Sequence, residues 1–113
     1  MIDTPNELKD FIVKILEDKN AQNITVLKLG NEIPLATYMI FASGRSTKNI
    51  TAIAEHIVYE LKHTAQWPAS AEGLNNSDWI LLDAGDVILH IFHPEAREKF
   101  KLEELWSKKK IRI

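Results

Sequence analysis

The chain has 113 residues, which is the usual length of one domain. Its formal net charge is -2, from 14 Lys and Arg against 16 Asp and Glu, and this mild acidity argues against a general nucleic-acid-binding protein, which needs a basic face. It contains no cysteine, which excludes disulfides, thiolate metal sites and a cysteine nucleophile. No apolar run has the length of a membrane span and no signal-peptide pattern opens the chain, so we expect a cytoplasmic protein that does not contact membranes.

The first predicted element is a helix. Thr4 caps it, Pro5 suits its first position and Glu7 completes a capping box. Asn20 is the expected stop. One apolar stripe follows the helical spacing, at Leu8, Phe11, Ile12, Ile15 and Leu16.

Two strands and a second helix follow. The β-branched run at residues 24–29 predicts a strand, and the uniformly apolar run at 35–42 predicts an interior strand that is covered on both faces. Ser46 or Thr47 caps the second helix. Its apolar stripe is the clearest periodicity in the chain, at Ile50, Ile53, Ala54, Ile57, Val58 and Leu61.

The second half of the chain predicts mainly strands. Residues 63–78 read as a loop, with a short strand near 69–72. Residues 79–82 and Val87–Phe92 predict two strands of a hairpin, with Gly85 at positive φ in the turn.

A last helix is predicted from Pro94 to Trp106, before a basic tail at residues 107–113. The order of elements indicates one domain over residues 1–113. We expect an α/β or α+β fold with a mixed sheet of about five strands and helices packed on it.

The turn between the second strand and the second helix is a candidate anion site. Ser43, Gly44 and Ser46 stand where free helix amides point outward. A single glycine matches neither a P-loop nor a dinucleotide fingerprint. The alternative is a tight turn with a helix cap.

Asp83 and Asp86 are candidate metal ligands, because a Gly-Ser turn followed by acidic residues on a later strand is the arrangement of nucleotidyltransferases. Their spacing of three around a turn does not place both carboxylates on one face of a strand. The alternative is that both acids stabilise the turn by accepting from backbone amides.

Trp79 and Asp83 share one face of their predicted strand with Leu81. An unpaired aspartate is costly in a core, so this face is expected to be wet at the Asp83 end. Trp79 is therefore either a partly exposed interface anchor or a core residue at a strand start. His90 is the one polar residue within Val87–Phe92.

Three blocks of residues stand in order along the chain. The first is ASGRSTKNITAIAEH at residues 42–56; the second is EG at 72–73 with WILLDAGDVILHIF at 79–92; the third contains Arg97, Phe100, Leu102, Leu105 and Trp106. They resemble the A-T-G-x-S-x-R-H-V-x-A-I-A-D-H, E-G…W-V-L-L-D-Y-G-D-V-V-V-H-V-F and R-x-x-Y-x-L-E-x-L-W patterns of the ribosomal silencing factor (RsfS, or Iojap) family. The chain departs from these patterns at Ser43, Asn49 and Ala84, where the family usually has Thr, His and a larger, often aromatic residue.

The resemblance implies a nucleotidyltransferase-like fold without catalysis, cofactor or metal. Members of the family bind the large ribosomal subunit through ribosomal protein number fourteen, block its joining with the small subunit and lower translation when nutrients are short. Organellar members act in large-subunit assembly, and isolated members are often homodimers, so a second copy is a further candidate partner. No DNA, membrane or small-molecule substrate is implied. The partner-binding positions carried over to this chain are Trp79, Ile80, Asp83, Ala84 and Asp86.

Two alternatives remain open at this point. One is large-subunit assembly as the main role. The other is a small metal-dependent nucleotidyltransferase that uses residues 43–46 for phosphate and Asp83 with Asp86 for metal. The tail at 108–113 is also a candidate RNA contact.

Overall fold

The computed structural model describes residues 2–30, 35–74 and 78–100, with the side chains of 99 and 100 excepted. The elements follow the predicted order. They are α1 (Pro5–Asp18), β1 (Gln22–Lys28), β2 (Tyr38–Ser43), α2 (Thr47–Thr64), β3 (Ser70–Glu72), β4 (Trp79–Asp83), β5 (Val87–Phe92) and α3 (Pro94–Phe100).

Element boundaries differ from the predictions mainly around β1 and β2. β1 begins at Gln22, earlier than predicted, and β2 begins only at Tyr38. The backbone carbonyl of Thr37 accepts from the amide of Leu29, so the chain just before Tyr38 already pairs with the residue that follows β1. The predicted continuation of the last helix to Trp106 and the tail at 107–113 lie outside the described residues.

The strands form one mixed sheet in the order β1-β2-β5-β4-β3. β2 and β5 are parallel neighbours in its centre, and the other pairs are antiparallel. Gly85 has a φ of +86° in the turn between β4 and β5, which confirms the predicted hairpin. The predicted mixed α/β fold with a five-stranded sheet is confirmed.

The first face of the sheet carries the larger core. Capping fixes where its two helices begin, because the hydroxyl of Thr4 accepts from the amide of Glu7 and that of Ser46 accepts from Asn49. The apolar stripes of α1 and α2 then pack on strand residues that point to this side. The core includes Leu8, Ile12, Leu16, Ile40, Ala42, Ile50, Ile53, Ile57, Leu61, Ile80, Leu82, Val87, Leu89 and Ile91.

The second face carries a smaller cluster, which consists of Leu29, Met39, Phe41, Ile88, Phe92 and Ala96. Of the described helices, only α3 packs on this side, through Ala96. The partly buried side chains of Trp79 and Leu81 border the cluster. As far as the described residues go, the second face is therefore less completely covered towards β4 and β3 than towards β2.

Candidate functional site

The cross-strand register of the second face brings the chemistry-bearing residues together. Phe41 pairs with His90, His90 with Leu81, and Leu81 with Glu72, which forms one row across four strands. Trp79 pairs with Phe92 in the row beside it. Aromatic and acidic side chains thus come from strands that are far apart in the chain.

On this face, the solvent exposure of the side chains rises from the central strands towards β3 and the β4–β5 turn. Phe41 and Phe92 are buried, Trp79 and Leu81 are partly buried, and Glu72 and Asp83 are exposed. The register places Asp83 on the same side of the sheet as Trp79. We refer to Glu72, Trp79, Leu81 and Asp83 as the β3–β4 face; it has an apolar centre and an acidic rim.

Trp79 is held by two neighbours on β5. Its Nε1–H donates to Nδ1 of His90 at 3.0 Å, and its ring stacks on Phe92 with 5.7 Å between centroids. His90 also stacks on Phe41, at 5.0 Å and an interplanar angle of 8°. Desolvation by burial lowers the pKa of His90 to about 4, so the imidazole is neutral at pH 7.

The sequence left Trp79 as either a partly exposed interface anchor or a core residue, and in the structure it has features of both. One side of the indole belongs to the aromatic cluster, and the ring is still partly accessible at the border of that cluster.

Asp83 and Asp86, in and beside the turn between β4 and β5, form different hydrogen bonds. The Oδ1 atom of Asp83 accepts from the amide of Gly85 at 2.8 Å, which is the bond that the turn interpretation predicts. The backbone carbonyl of Asp86 accepts from the amides of Thr37 and Tyr38, at 2.8 and 3.1 Å. Both carboxylates are nevertheless exposed, and they stand at the end of the β3–β4 face. Within the described ranges, no three His, Asp or Glu side chains gather closely enough to hold a metal ion.

Two of the predicted partner-binding residues point the other way. Ile80 is 0% exposed and Ala84 is 1% exposed, and both side chains belong to the core of the first face. The backbone carbonyl of Ala84 accepts from Nε1 of Trp67 at 2.8 Å. Neither side chain therefore belongs to the exposed β3–β4 face, and a role of Ile80 and Ala84 in partner binding stays a prediction.

The candidate anion turn is engaged within the protein. Ser46 caps α2, and the side chain of Asn49 accepts from the amide of Arg45 at 3.1 Å. Ser43 is 1% exposed and its hydroxyl accepts from Nη1 of Arg97 at 2.9 Å. A Cβ on Gly44 would overlap Cγ2 of Ile50, so glycine allows the strand end to approach the helix. Anion binding at this turn stays a prediction.

Sequence reasoning missed two features of the site. Glu72 lies on the β3–β4 face because β3 pairs with β4. A strand of only three residues is too short for the alternation of apolar and polar residues to show which side of the sheet Glu72 occupies. The bond between Trp79 and His90 joins residues that are 11 apart. The polar His90 inside an apolar strand was the signal that pointed towards it.

The comparisons with known proteins agree with each other. A family model described as "Ribosomal silencing factor during starvation" matches residues 2–113. The ribosomal silencing factor of Zymomonas mobilis is 38% identical over 103 residues, which are 91% of this chain and 77% of that protein. A mouse protein named for the mitochondrial assembly of the ribosomal large subunit is 32% identical over 101 residues, and the match covers 87% of this chain and 44% of the mouse protein.

A solved structure is similar over nearly the whole chain. The crystal structure of a protein from Chromobacterium violaceum has a TM-score of 0.88 and 30% identity, and it covers 93% of this chain and 88% of its own. Among the described residues, no helix has the length and apolarity needed to cross a membrane.

Proposed function

The chain belongs to the ribosomal silencing factor family, and from that membership we propose that it binds the large ribosomal subunit, blocks association with the small subunit and represses translation under nutrient limitation. We propose that the contact is made through ribosomal protein number fourteen of the large subunit. The matching family is described as silencing ribosomes during starvation. The cytoplasm, where bacterial ribosomes work, is the proposed location.

The observation that carries the proposal is the composition of the β3–β4 face. A partly exposed tryptophan next to a partly buried leucine offers the aromatic anchor that dominates many protein interfaces. The exposed residues Glu72 and Asp83 lie on the same face as that anchor, and the exposed Asp86 follows in the turn. Ribosomal proteins are generally basic, and opposite potentials speed and orient docking. An acidic rim around an apolar anchor therefore favours a basic protein surface over RNA.

The mechanism that we propose is obstruction rather than chemistry. A standard interface takes about 800 Å² from each partner, which is about an eighth of this protein's surface of 6771 Å². Most of the molecule would then project from the large subunit as a rigid obstacle. The polar groups of two separate turns support a role without catalysis. Ser43 and Ser46 bond within the protein at the turn before α2, and Asp83 bonds to Gly85 at the turn between β4 and β5.

Co-sedimentation with isolated large subunits tests the proposal. We expect the parent chain to sediment with large subunits and to reduce their joining with small subunits in a dose-dependent way. Asp83→Lys should weaken binding, because it places a cation in the acidic rim. Glu55→Lys is the matched control, since it makes the same change of charge on an exposed position of α2. Absence of binding by the parent chain contradicts the function, and equal losses in both variants contradict the site.

A role in large-subunit assembly is the second candidate, and the mouse relative, which is named for that role in mitochondria, favours it. The two roles differ in what deletion of the gene does. Loss of an assembly factor should leave immature large subunits in growing cells. Loss of a silencing factor should leave mature subunits that keep translating when nutrients run out. Self-association is a further proposal, which the concentration dependence of the sedimentation coefficient tests.

A further inference from the structure

His90 is an anomaly in the interior of the sheet. It is 6% exposed, although every other residue of β5 is apolar. Its Nδ1 accepts from Trp79, so the neutral ring carries its proton on Nε2. That Nε2 atom is buried and has no hydrogen-bond partner within the described part of the chain. A buried donor without an acceptor destabilises the fold, and such groups in native proteins call for an explanation.

Packing alone does not explain the choice of histidine. The ring lies flat against Phe41 and 5.9 Å from Phe92, which are contacts that a phenylalanine ring would also make. Phenylalanine would also avoid the unpaired Nε2 donor, but it would take the Nδ1 acceptor away from the indole N–H of Trp79. What histidine adds at this position is an acceptor for the indole N–H of Trp79.

We infer that His90 is a positioning residue, which fixes the indole of Trp79 in the orientation in which it meets the ribosomal partner. The inference rests on the proposed function of the β3–β4 face. Phe92 supports the ring of Trp79 by stacking, and His90 sets its rotation by the hydrogen bond. A side chain that is ordered before binding loses less rotamer freedom on binding. This effect is worth roughly two- to tenfold in Kd.

Two substitutions separate the acceptor from the ring. His90→Phe keeps an aromatic ring and removes both the acceptor and the unpaired donor. His90→Asn removes the ring and keeps an acceptor, because its side-chain oxygen occupies nearly the place of Nδ1. We expect His90→Phe to have a Tm close to that of the parent chain, because removal of the unpaired Nε2 donor is offset by loss of the acceptor for the indole of Trp79. Its Kd for large subunits should be roughly two- to tenfold weaker. We expect His90→Asn to have a lower Tm and, below that Tm, a Kd close to that of the parent.

Indole spectroscopy reports the same hydrogen bond without the ribosome. The Nε1–H signal of Trp79 is identified by its loss in Trp79→Phe. In the parent chain it should exchange slowly with water, and nitrogen spectra should show an unprotonated Nδ1 in His90. In His90→Phe the indole proton should shift and exchange faster, whereas in His90→Asn it should stay protected.

The outcomes distinguish this inference from the proposed function. If the parent chain binds and His90→Phe binds equally well, the positioning role is wrong and the function stands. If affinity follows Tm across the two variants, His90 has a merely structural role and the inference fails. If the parent chain does not bind large subunits, the proposed function fails, and the role of Trp79 as a partner contact fails with it.

Discussion

Replacement of Arg97 by methionine should unfold the molecule at a markedly lower temperature. Arg97 lies on α3, just after β5, and reaches across the neighbouring end of β2 to the start of β1. Its Nη1 donates to the carbonyl of Asn23 at 2.6 Å and to the hydroxyl of Ser43 at 2.9 Å, and its Nη2 donates to the hydroxyl of Thr25 at 3.2 Å. Asn23 has a φ of +50° at the irregular start of β1, where the register with β2 shifts. The guanidinium therefore fastens α3 to two strands at once.

The magnitude follows from which acceptors water can reach after the substitution. Methionine keeps the length of the apolar stem and removes every donor. Asn23 is exposed and Thr25 is partly exposed, so water replaces the donor there at small cost. Ser43 is 1% exposed, and its hydroxyl is left in the interior without this charged donor. Hydrogen bonds to charged groups contribute about 1.5–3 kcal/mol, so we expect a loss of about 2–3 kcal/mol in the free energy of unfolding.

Thermal unfolding measures this loss. For a domain of this size, 1 kcal/mol corresponds to roughly 4–8 °C, so Tm should fall by about 10 °C or more. In a Ser43→Ala background the same substitution should cost less, because the buried hydroxyl is no longer there to be stranded. The expected coupling between the two sites is about 1 kcal/mol. A Tm within about 2 °C of the parent chain, or strict additivity with Ser43→Ala, would refute this reasoning.

Three further predictions follow from single features. Gly44→Ala should lower the free energy of unfolding by about 1–3 kcal/mol in urea titrations. The alanine Cβ would overlap Ile50 and lie 2.7 Å from Oδ1 of Asn49. Unchanged stability would contradict this prediction and mean that the end of β2 shifts freely. Burial lowers the pKa of His90 from 6.5 to about 4, so the unfolded chain binds the extra proton first and stability should fall by up to about 3 kcal/mol as pH drops from about 6.5 to about 4. His90→Phe should lack that part of the slope in urea titrations across this pH range, and an identical slope would contradict the assignment. Removal of residues 108–113 should flatten the salt dependence of binding to large subunits if the tail contacts RNA, and an unchanged slope rejects that contact.

Local sequence signals predicted most of the elements because each has a local physical cause. The capping residues Thr4 and Ser46 begin their helices as expected, and the periodic stripe after Ser46 is the buried face of α2. Strand alternation placed Trp79 and Asp83 on one face, and the structure shows them there. It also placed Ile80 on the opposite face, where it is buried. The family resemblance added Ile80 to the partner-binding residues, and that assignment stays a prediction.

The parts that were not predicted depend on pairing between distant strands. Arg97 bonds to residues that lie 54 to 74 positions earlier, and no local pattern encodes those contacts. Glu72 joins the candidate site through the register of β3 with β4. Ala84 stands in a turn sequence, yet its side chain is buried in the core of the first face, against which the distant Trp67 also packs.

The affinity of the chain for large ribosomal subunits, compared between Trp79→Ala and Tyr59→Ala, tests the central claim most directly. Both variants remove one aromatic side chain. Trp79 lies on the β3–β4 face, whereas Tyr59 is 57% exposed on α2. We predict that Trp79→Ala weakens binding by about 2 kcal/mol or more, which is roughly thirtyfold in Kd. Tyr59→Ala should bind as the parent chain does. Undiminished binding by a folded Trp79→Ala variant, or an equal loss in both variants, would contradict the assignment of the β3–β4 face.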